Sequence, residues 1–426
     1  MPSSDHLKHW FLCAWLLCAL ACPPALARPW QVSQSGLSLP AALAQARPGD
    51  TIEVAPGVYR YGNIEIKQPV VLLGRGLPVL DGEQKYEILS VKSSWVVISG
   101  FRLVNSGFSS MNDLSGIRVY GVRQVQIIGN QFENTFFGIY LTNSHHCLVQ
   151  GNVLVAGQQA DYNIGNGIHL WQCDSAQIIG NQIRKHRDGI YFEFVTNSQI
   201  QGNHSEGNLR YGLHFMFSHH DHYEGNLFKN NGAGVAVMYS QDVTMTGNRF
   251  QENWGDAAYG LLLKDIRDSR ISGNEFVKNT AGIYIEGCSR SQFSDNDFVA
   301  NGYAMRLQAS CEANTLSHNN FMGNTFDLAS NGETVLNTLQ NNYWDRYEGY
   351  DLARDGVGDV PFHPVSLYAM VLERMPQATV LLRSFAVTLL DRVEKVIPSL
   401  TPRDLRDDAP QMRPLPRPKP FVLSEK

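Results

Sequence analysis

Long apolar runs are missing from this 426-residue chain. No stretch of 18 or more apolar residues occurs, so nothing in it reads as an integral membrane helix. A basic excess is missing too. Lys and Arg number 35 against 40 Asp and Glu, a net charge of −5, which disfavours a nucleic-acid partner. Cysteine is scarce. Of seven, Cys13, Cys18 and Cys22 lie in the first segment, and Cys147, Cys173, Cys288 and Cys311 form no CxxC pair. That argues against a disulfide-dense scaffold and a four-cysteine zinc site. What is present is a 43% hydrophobic chain with 37 Gly, too apolar for a disordered polymer.

The first segment reads as an address. Lys8 and His9 precede an apolar run from Trp10 to Ala21, and Ala25-Leu26-Ala27 supplies the small residues a signal peptidase reads. Residues 1–27 are expected to be a signal peptide that exports the chain to the periplasm. The rival is a lipoprotein signal ending at Cys22 after Ala19-Leu20-Ala21.

The middle of the chain is one repeat. Gly-Asn recurs at 129–130, 151–152, 180–181, 202–203, 225–226, 247–248 and 273–274, and Asn296, Asn319 and Asn342 continue the series. Fourteen residues before each of the eight Asn from Asn130 to Asn296 stands a Gly: Gly116, Gly138, Gly167, Gly189, Gly212, Gly234, Gly260 and Gly282. Taking that Gly as position zero, positions +1 and +3 are apolar in every repeat while +2 and +4 vary, the period of a strand. Further apolar columns fall at +11 (Ile127 to Phe293) and +16 (Phe132 to Phe298). Three inward columns in a period of about 22 residues predict an all-β, right-handed parallel β-helix of pectate-lyase type with about 12 rungs. The Asn column is expected to stack as an amide ladder. Two earlier rungs are read at Val70–Gly74 and Val96–Gly100, and Pro40 to Ala46 reads as an amphipathic helix capping the open end. Residues 28–364 therefore form the solenoid domain. Residues 365–400 read as a helical extension, either packed on the solenoid's side or docking a partner, and 401–426 as a flexible Pro-rich tail. Since the repeat ends before it, truncation after Pro364 is expected to leave the solenoid folded.

Positions +2 and +4 are expected to face solvent on one sheet, so chemistry is sought there. Met216 and Met238 share the +4 register on adjacent rungs, His214 lies two residues before Met216, and Glu193 stacks one rung earlier. Thioether and imidazole together suit Cu(I), a soft ion. His214, Met216 and Met238 are the first candidate ligands, with His169, Glu193 and His219 as outer candidates. A small hydrophobic patch, or a partner surface that uses Met for its adaptability, explains the same pair without metal. Insertions within 153–166 and 249–259 enlarge two rungs at one edge and would wall a groove here. A carbohydrate-binding or carbohydrate-processing β-helix is the rival class. Hydrolysis wants two carboxylates about 5–9.5 Å apart, and Glu286 stands four rungs from Glu193. Cys288 and Cys311 are expected to stack on adjacent rungs, as free thiols or as a disulfide.

Asp188-Gly-Ile-Tyr-Phe-Glu-Phe-Val-Thr-Asn-Ser198, Glu206 to His219, Asn231 to Ser240 and Tyr259 to Asp265 resemble the NosD family, as do Asn342-Tyr-Trp-Asp345 and Asp355 to Pro361. The resemblance runs from about Pro40 to Pro364. It implies a periplasmic protein that assists assembly of the copper centres of nitrous oxide reductase, and implies no catalysis by the protein itself. The implied partners are the permease and ATPase subunits of an ABC-type transporter, a copper chaperone lipoprotein and the reductase.

Overall fold

The computed structural model describes residues 29–109, 111–157, 164–255, 257–332, 336–382, 384–396 and 405–417. The expected signal peptide, residues 1–27, lies outside them. Three parallel sheets of 14, 13 and 12 strands wind into one solenoid. We call them sheets I, II and III, in the order the chain visits them within a rung. The strands are short because each rung must turn three corners, and each is held by backbone bonds to the rungs above and below. The inward columns at +11 and +16 run through sheets I and II, and +1 and +3 through sheet III. Sheet III residues such as Ile139, Leu141, Leu213 and Phe215 are fully buried.

The first strand, Pro29–Val32, already pairs in register with Thr51–Val54, so the solenoid starts earlier than the repeat suggests. The expected capping helix is present as α1 (Leu39–Gln45). It is inserted between these two strands, with Leu39 and Ala42 buried against the core. Ser38 caps it by accepting from the Ala41 amide.

Side-chain ladders fix the register. Each Asn of the series from Asn152 to Asn342 accepts on Oδ1 from the backbone N–H of the preceding Asn at 2.8–3.0 Å, and Asn130 at its head accepts from Phe101. Gly129 and its equivalents hold the corner before it at φ near +63°, where a Cβ is strained. In sheet II, Phe228, Phe250, Phe276, Phe298, Phe321 and Trp344 stack with centroids 4.1–5.6 Å apart. A second amide ladder runs through Asn208, Asn231, Asn253, Asn279, Asn301 and Asn324. His186 occupies the head of that column, and its backbone N–H donates to Asn208 Oδ1. Neither ring nitrogen has a well-formed hydrogen bond. Burial pushes its pKa down to about 4, with only weak compensation from the Gly165 backbone.

Beyond Asn342, α2 (Leu367–Arg374), a 3₁₀ turn (Pro376–Leu381) and α3 (Phe385–Val396) lean on the last rungs. Here the flexible tail needs correction. Residues 405–417 return to the end of the solenoid. Buried Asp407 accepts from the Asn341 and Asn342 amides, from Asn342 Nδ2 and from Trp344 Nε1, at 2.9–3.1 Å. Arg417 pairs with Asp297 at 2.9 Å. Truncation after Pro364 would therefore strip the terminal cap and leave four buried donors without an acceptor. Cys288 and Cys311 do stack, as the Ser289–Glu312 bridge requires. Both are free buried thiols, as are Cys147 and Cys173.

Two outcomes follow from the ladders. Asp407→Ala should cost about 3 kcal/mol in urea unfolding, because the buried donors lose a charged acceptor. His186→Asn puts the ladder's own residue in the column. The wild-type histidine is held neutral in the fold but takes a proton near pH 6.5 when unfolded, so the wild type loses stability as pH falls from 6.5 towards 4. The variant's advantage should grow by about 2 kcal/mol between pH 7 and pH 5, and an equal advantage at both would refute the assignment.

Candidate metal-binding face

Sheet III carries the candidate residues, and its register is unambiguous. Glu193 pairs with Met216, Met216 with Met238, and Met238 with Lys264. The two thioethers are thus neighbours on adjacent strands about 4.8 Å apart, both half-exposed. They sit together because +4 is apolar in two successive rungs, one 22-residue turn apart.

The +2 column differs from expectation. His169 and His214 do not face solvent: His214 is only 6% exposed and His169 8%. Alternation along a strand selects a face, and here that face is covered. Rings in successive rungs shield one another in a continuous column. Tyr140 lies 4.3 Å from His169, His169 4.7 Å from Tyr191, and Tyr191 5.1 Å from His214, centroid to centroid. Tyr211, at the start of the His214 strand, adds a further contact at 4.7 Å. Tyr259, from the second insertion, lies beside Tyr211.

Both nitrogens of His214 lack a hydrogen-bond partner. Burial, aided by the Arg210 and Arg187 charges, lowers its pKa to about 4. It is therefore a neutral imidazole with a lone pair that no protein donor occupies, two residues from Met216 on the same face. The guanidiniums that depress its pKa also oppose a cation at this spot. Asp188 counters them, with Arg210 at 3.7 Å, although burial raises the Asp188 pKa.

The outer candidates are arranged differently. His169 Nδ1 lies 3.1 Å from Asn166 Nδ2, while Asn166 Oδ1 accepts from Arg187. With the amide so oriented, Nδ1 is the acceptor and the proton sits on Nε2. Desolvation, then Arg187 and Arg118, lowers the His169 pKa to about 3. His219 stands on the turn beyond the strand, where its Nδ1 accepts from the Gln241 amide at 3.2 Å. Glu193 accepts from the Tyr191 hydroxyl at 3.4 Å and is the carboxylate stacked next to the thioethers. No group of three or more His, Cys, Asp or Glu poised for a metal occurs among the described residues. A site here would depend on methionine sulfur.

One groove of about 590 Å³ opens beside Met238, lined by Tyr259, Lys264, Tyr284, Arg306 and Glu373. Its far wall is α2, fastened by two 2.8 Å bonds between the Arg306 guanidinium and the nearly buried Glu373 carboxylate. The insertion at 249–259 contributes Tyr259, as expected of a wall. Glu286 pairs with Lys264 at 3.6 Å and is four strands from Glu193. At 4.8 Å per strand that is about 19 Å, too far for the carboxylate pair of a glycosidase.

Residues 155–349 match the family described as "Periplasmic copper-binding protein (NosD)". The chain is 28% identical to "Probable ABC transporter binding protein NosD" of Stutzerimonas stutzeri, over 86% of this chain and 87% of that one. It is 29% identical to the protein of the same name from Pseudomonas aeruginosa, over 90% and 96%. Among solved structures, the catalytic unit of the α-1,3-glucanase of Streptomyces thermodiastaticus aligns with a TM-score of 0.57 at 14% identity, over 76% of this chain and 67% of that one. That likeness is one of fold.

Proposed function

From its likeness to the NosD family over residues 155–349, and to NosD-named relatives along most of its length, we propose that the chain is a periplasmic accessory protein that takes up Cu(I) as cargo and passes it towards the copper centres of nitrous oxide reductase. It works on an ABC-type transporter of permease and ATPase subunits and is loaded by a copper chaperone lipoprotein. Its role is to hold and hand over, with no chemistry of its own. The observation that carries this reading is the in-register pair Met216 and Met238 beside a neutral, unpartnered His214. Two thioethers and an imidazole form a soft, uncharged donor set, which favours Cu(I) over harder divalent ions. A weak set of this kind also suits cargo that must leave again. Glu193 adds a counter-charge one rung away, and His169 and His219 stand further out.

The transporter contact falls to the C-terminal helices. One face of α3 is apolar yet open: Phe385 is 82% exposed and Leu389 50%, with Val393 next in line. These positions follow one another at i, i+4 and i+8, a stripe suited to lie against another protein. The opposite face, with Val387 and Leu390, packs on Tyr368 and Leu372. Among the described residues no helix is long and apolar enough to cross a membrane, so the stripe serves contact with a partner already there.

Both parts are open to test. Replacing Met216 and Met238 together by Leu conserves volume and should weaken Cu(I) binding at least tenfold in competition with a chelator, about 1.4 kcal/mol. Met245→Leu, an inward residue of the same solenoid, should leave it unchanged, and Zn(II) should compete poorly. Equal affinity in double variant and control would move the site elsewhere. Phe385→Glu with Leu389→Glu should abolish co-purification with the permease while changing stability by less than about 0.5 kcal/mol. Undiminished co-purification would remove α3 from the contact.

A further inference from the structure

Position +5 of the repeat ends the sheet III strand and turns the corner in the left-handed backbone region. In most rungs it is filled by residues that tolerate that conformation: Asn143 (φ 48°), Gln172 (52°), Asp265 (51°) and Gly287 (65°). In three consecutive rungs it is aromatic instead, as Phe194 (55°), Phe217 (49°) and Tyr239 (53°). Large side chains are disfavoured there, because Cβ crowds the neighbouring carbonyl. These three are also not core residues, since they are 45%, 39% and 42% exposed. Their rings stack along the solenoid axis, with centroids 5.3 and 5.1 Å apart and planes 13° from parallel. Neither the fold nor solubility accounts for them. The other rungs make this corner without a ring, and the stack lays an apolar strip on the surface.

The strip has a fixed neighbour. The residue before each ring is Glu193, Met216 or Met238, so whatever covers the strip has its border over the thioethers. Because the rings cover one another's faces, the strip presents mainly ring edges outward. A sugar stacks its C–H face on an aromatic face and gains little from such a surface. A protein surface packs against edges readily, and aromatic residues with Met are the composition of interface cores. Charge around the strip is lopsided. At positions +4 to +8 of the strip's rungs and the two that flank them stand Asp174, Glu193, Asp242, Asp265 and Asp268, against Lys264 and Arg267; Lys264 is paired with Glu286, and Asp268 with Arg290. The complement is an apolar patch rimmed by basic side chains.

We propose that the edge formed by Phe194, Phe217 and Tyr239 is the docking strip for a metal-donating protein with a basic rim, which brings its ion to Met216 and Met238 from this side. The proposal rests on the reading of those two residues as the receiving donors. It assigns the rings to recognition and leaves binding of the ion to sulfur.

The test separates the two. In the full mature chain, Phe194→Asn, Phe217→Asn and Tyr239→Asn install a residue that the same corner already carries at Asn143, so the solenoid is retained, as a thermal melt would verify. Two quantities are then measured: Cu(I) affinity with copper supplied from a small-molecule chelate, and association with the Cu(I)-loaded soluble domain of the chaperone lipoprotein at 50 and 500 mM NaCl. The expected result is chelate-supplied affinity within twofold of wild type, and association with the donor weakened at least tenfold. Wild-type association should itself fall as salt rises. Donor association equal to wild type in the triple variant, or no association of the wild type at all, would overturn the proposal. So would loss of oligosaccharide binding with donor association intact. A wild type that takes no Cu(I) from the chelate would defeat the thioether reading instead, while the association arm still judges the strip.

Discussion

Everything in this molecule depends on adjacent turns lying at strand spacing with no slip. A shift of one residue between rungs would send every inward side chain outward, and three-residue strands have little of their own to prevent it. The amide ladder supplies the constraint. Each ladder Asn accepts on its side-chain oxygen from the previous rung and donates its backbone N–H and a side-chain N–H to the next, while its Nδ2 also reaches back to a carbonyl of the previous rung, so a misplaced rung breaks bonds on both sides. With register locked, identical positions become spatial neighbours. Two methionines 22 residues apart then form a pair, and three aromatic corners form a strip.

The lock is polar, and so are its consequences. Buried amides and imidazoles are tolerated only where the next rung supplies a partner. The ladders meet this condition throughout. His186 and His214 do not, and they differ in what surrounds the deficit. His186 is sealed inside the solenoid at the head of an amide column, where no ligand reaches. His214 lies on the outer side of a sheet, next to half-exposed sulfur and a groove. The same physical deficit reads as a packing compromise in one place and, under the proposed function, as an open coordination position in the other.

Much of this was legible in the sequence. The Gly and Asn periods gave the solenoid, its columns and the Met216–Met238 register, because a period near 22 maps directly onto geometry. The second amide ladder is equally legible, since each first-ladder Asn from 203 to 319 is followed five residues later by another. The burial of His169 and His214 was not legible. Alternation says which face a residue takes and nothing about what lies over that face. The packed segment 405–417 was hidden for another reason. Its Pro-rich composition looks like a linker, and a few long-range contacts from Leu405, Asp407 and Arg417 decide otherwise. For the candidate face, sequence placed Met216 and Met238 side by side, but the unpartnered nitrogens of His214 and the engaged Nδ1 atoms of His169 and His219 depend on neighbours that local spacing does not name.

Asp407 closes the last rung in more than one sense. All the ladder amides point the same way, so the column is a row of aligned dipoles whose donor end emerges at Asn342. An anion at that end is favourable for the reason it is favourable at the start of a helix. Without it, the final rung would be a growing tip: a flat face of core with strand edges and amide donors shaped to accept one more turn from any chain of the same design. The carboxylate and its returning segment act as a chain terminator, so a structure built by repetition stops at a definite length and does not continue into a fibre of stacked copies.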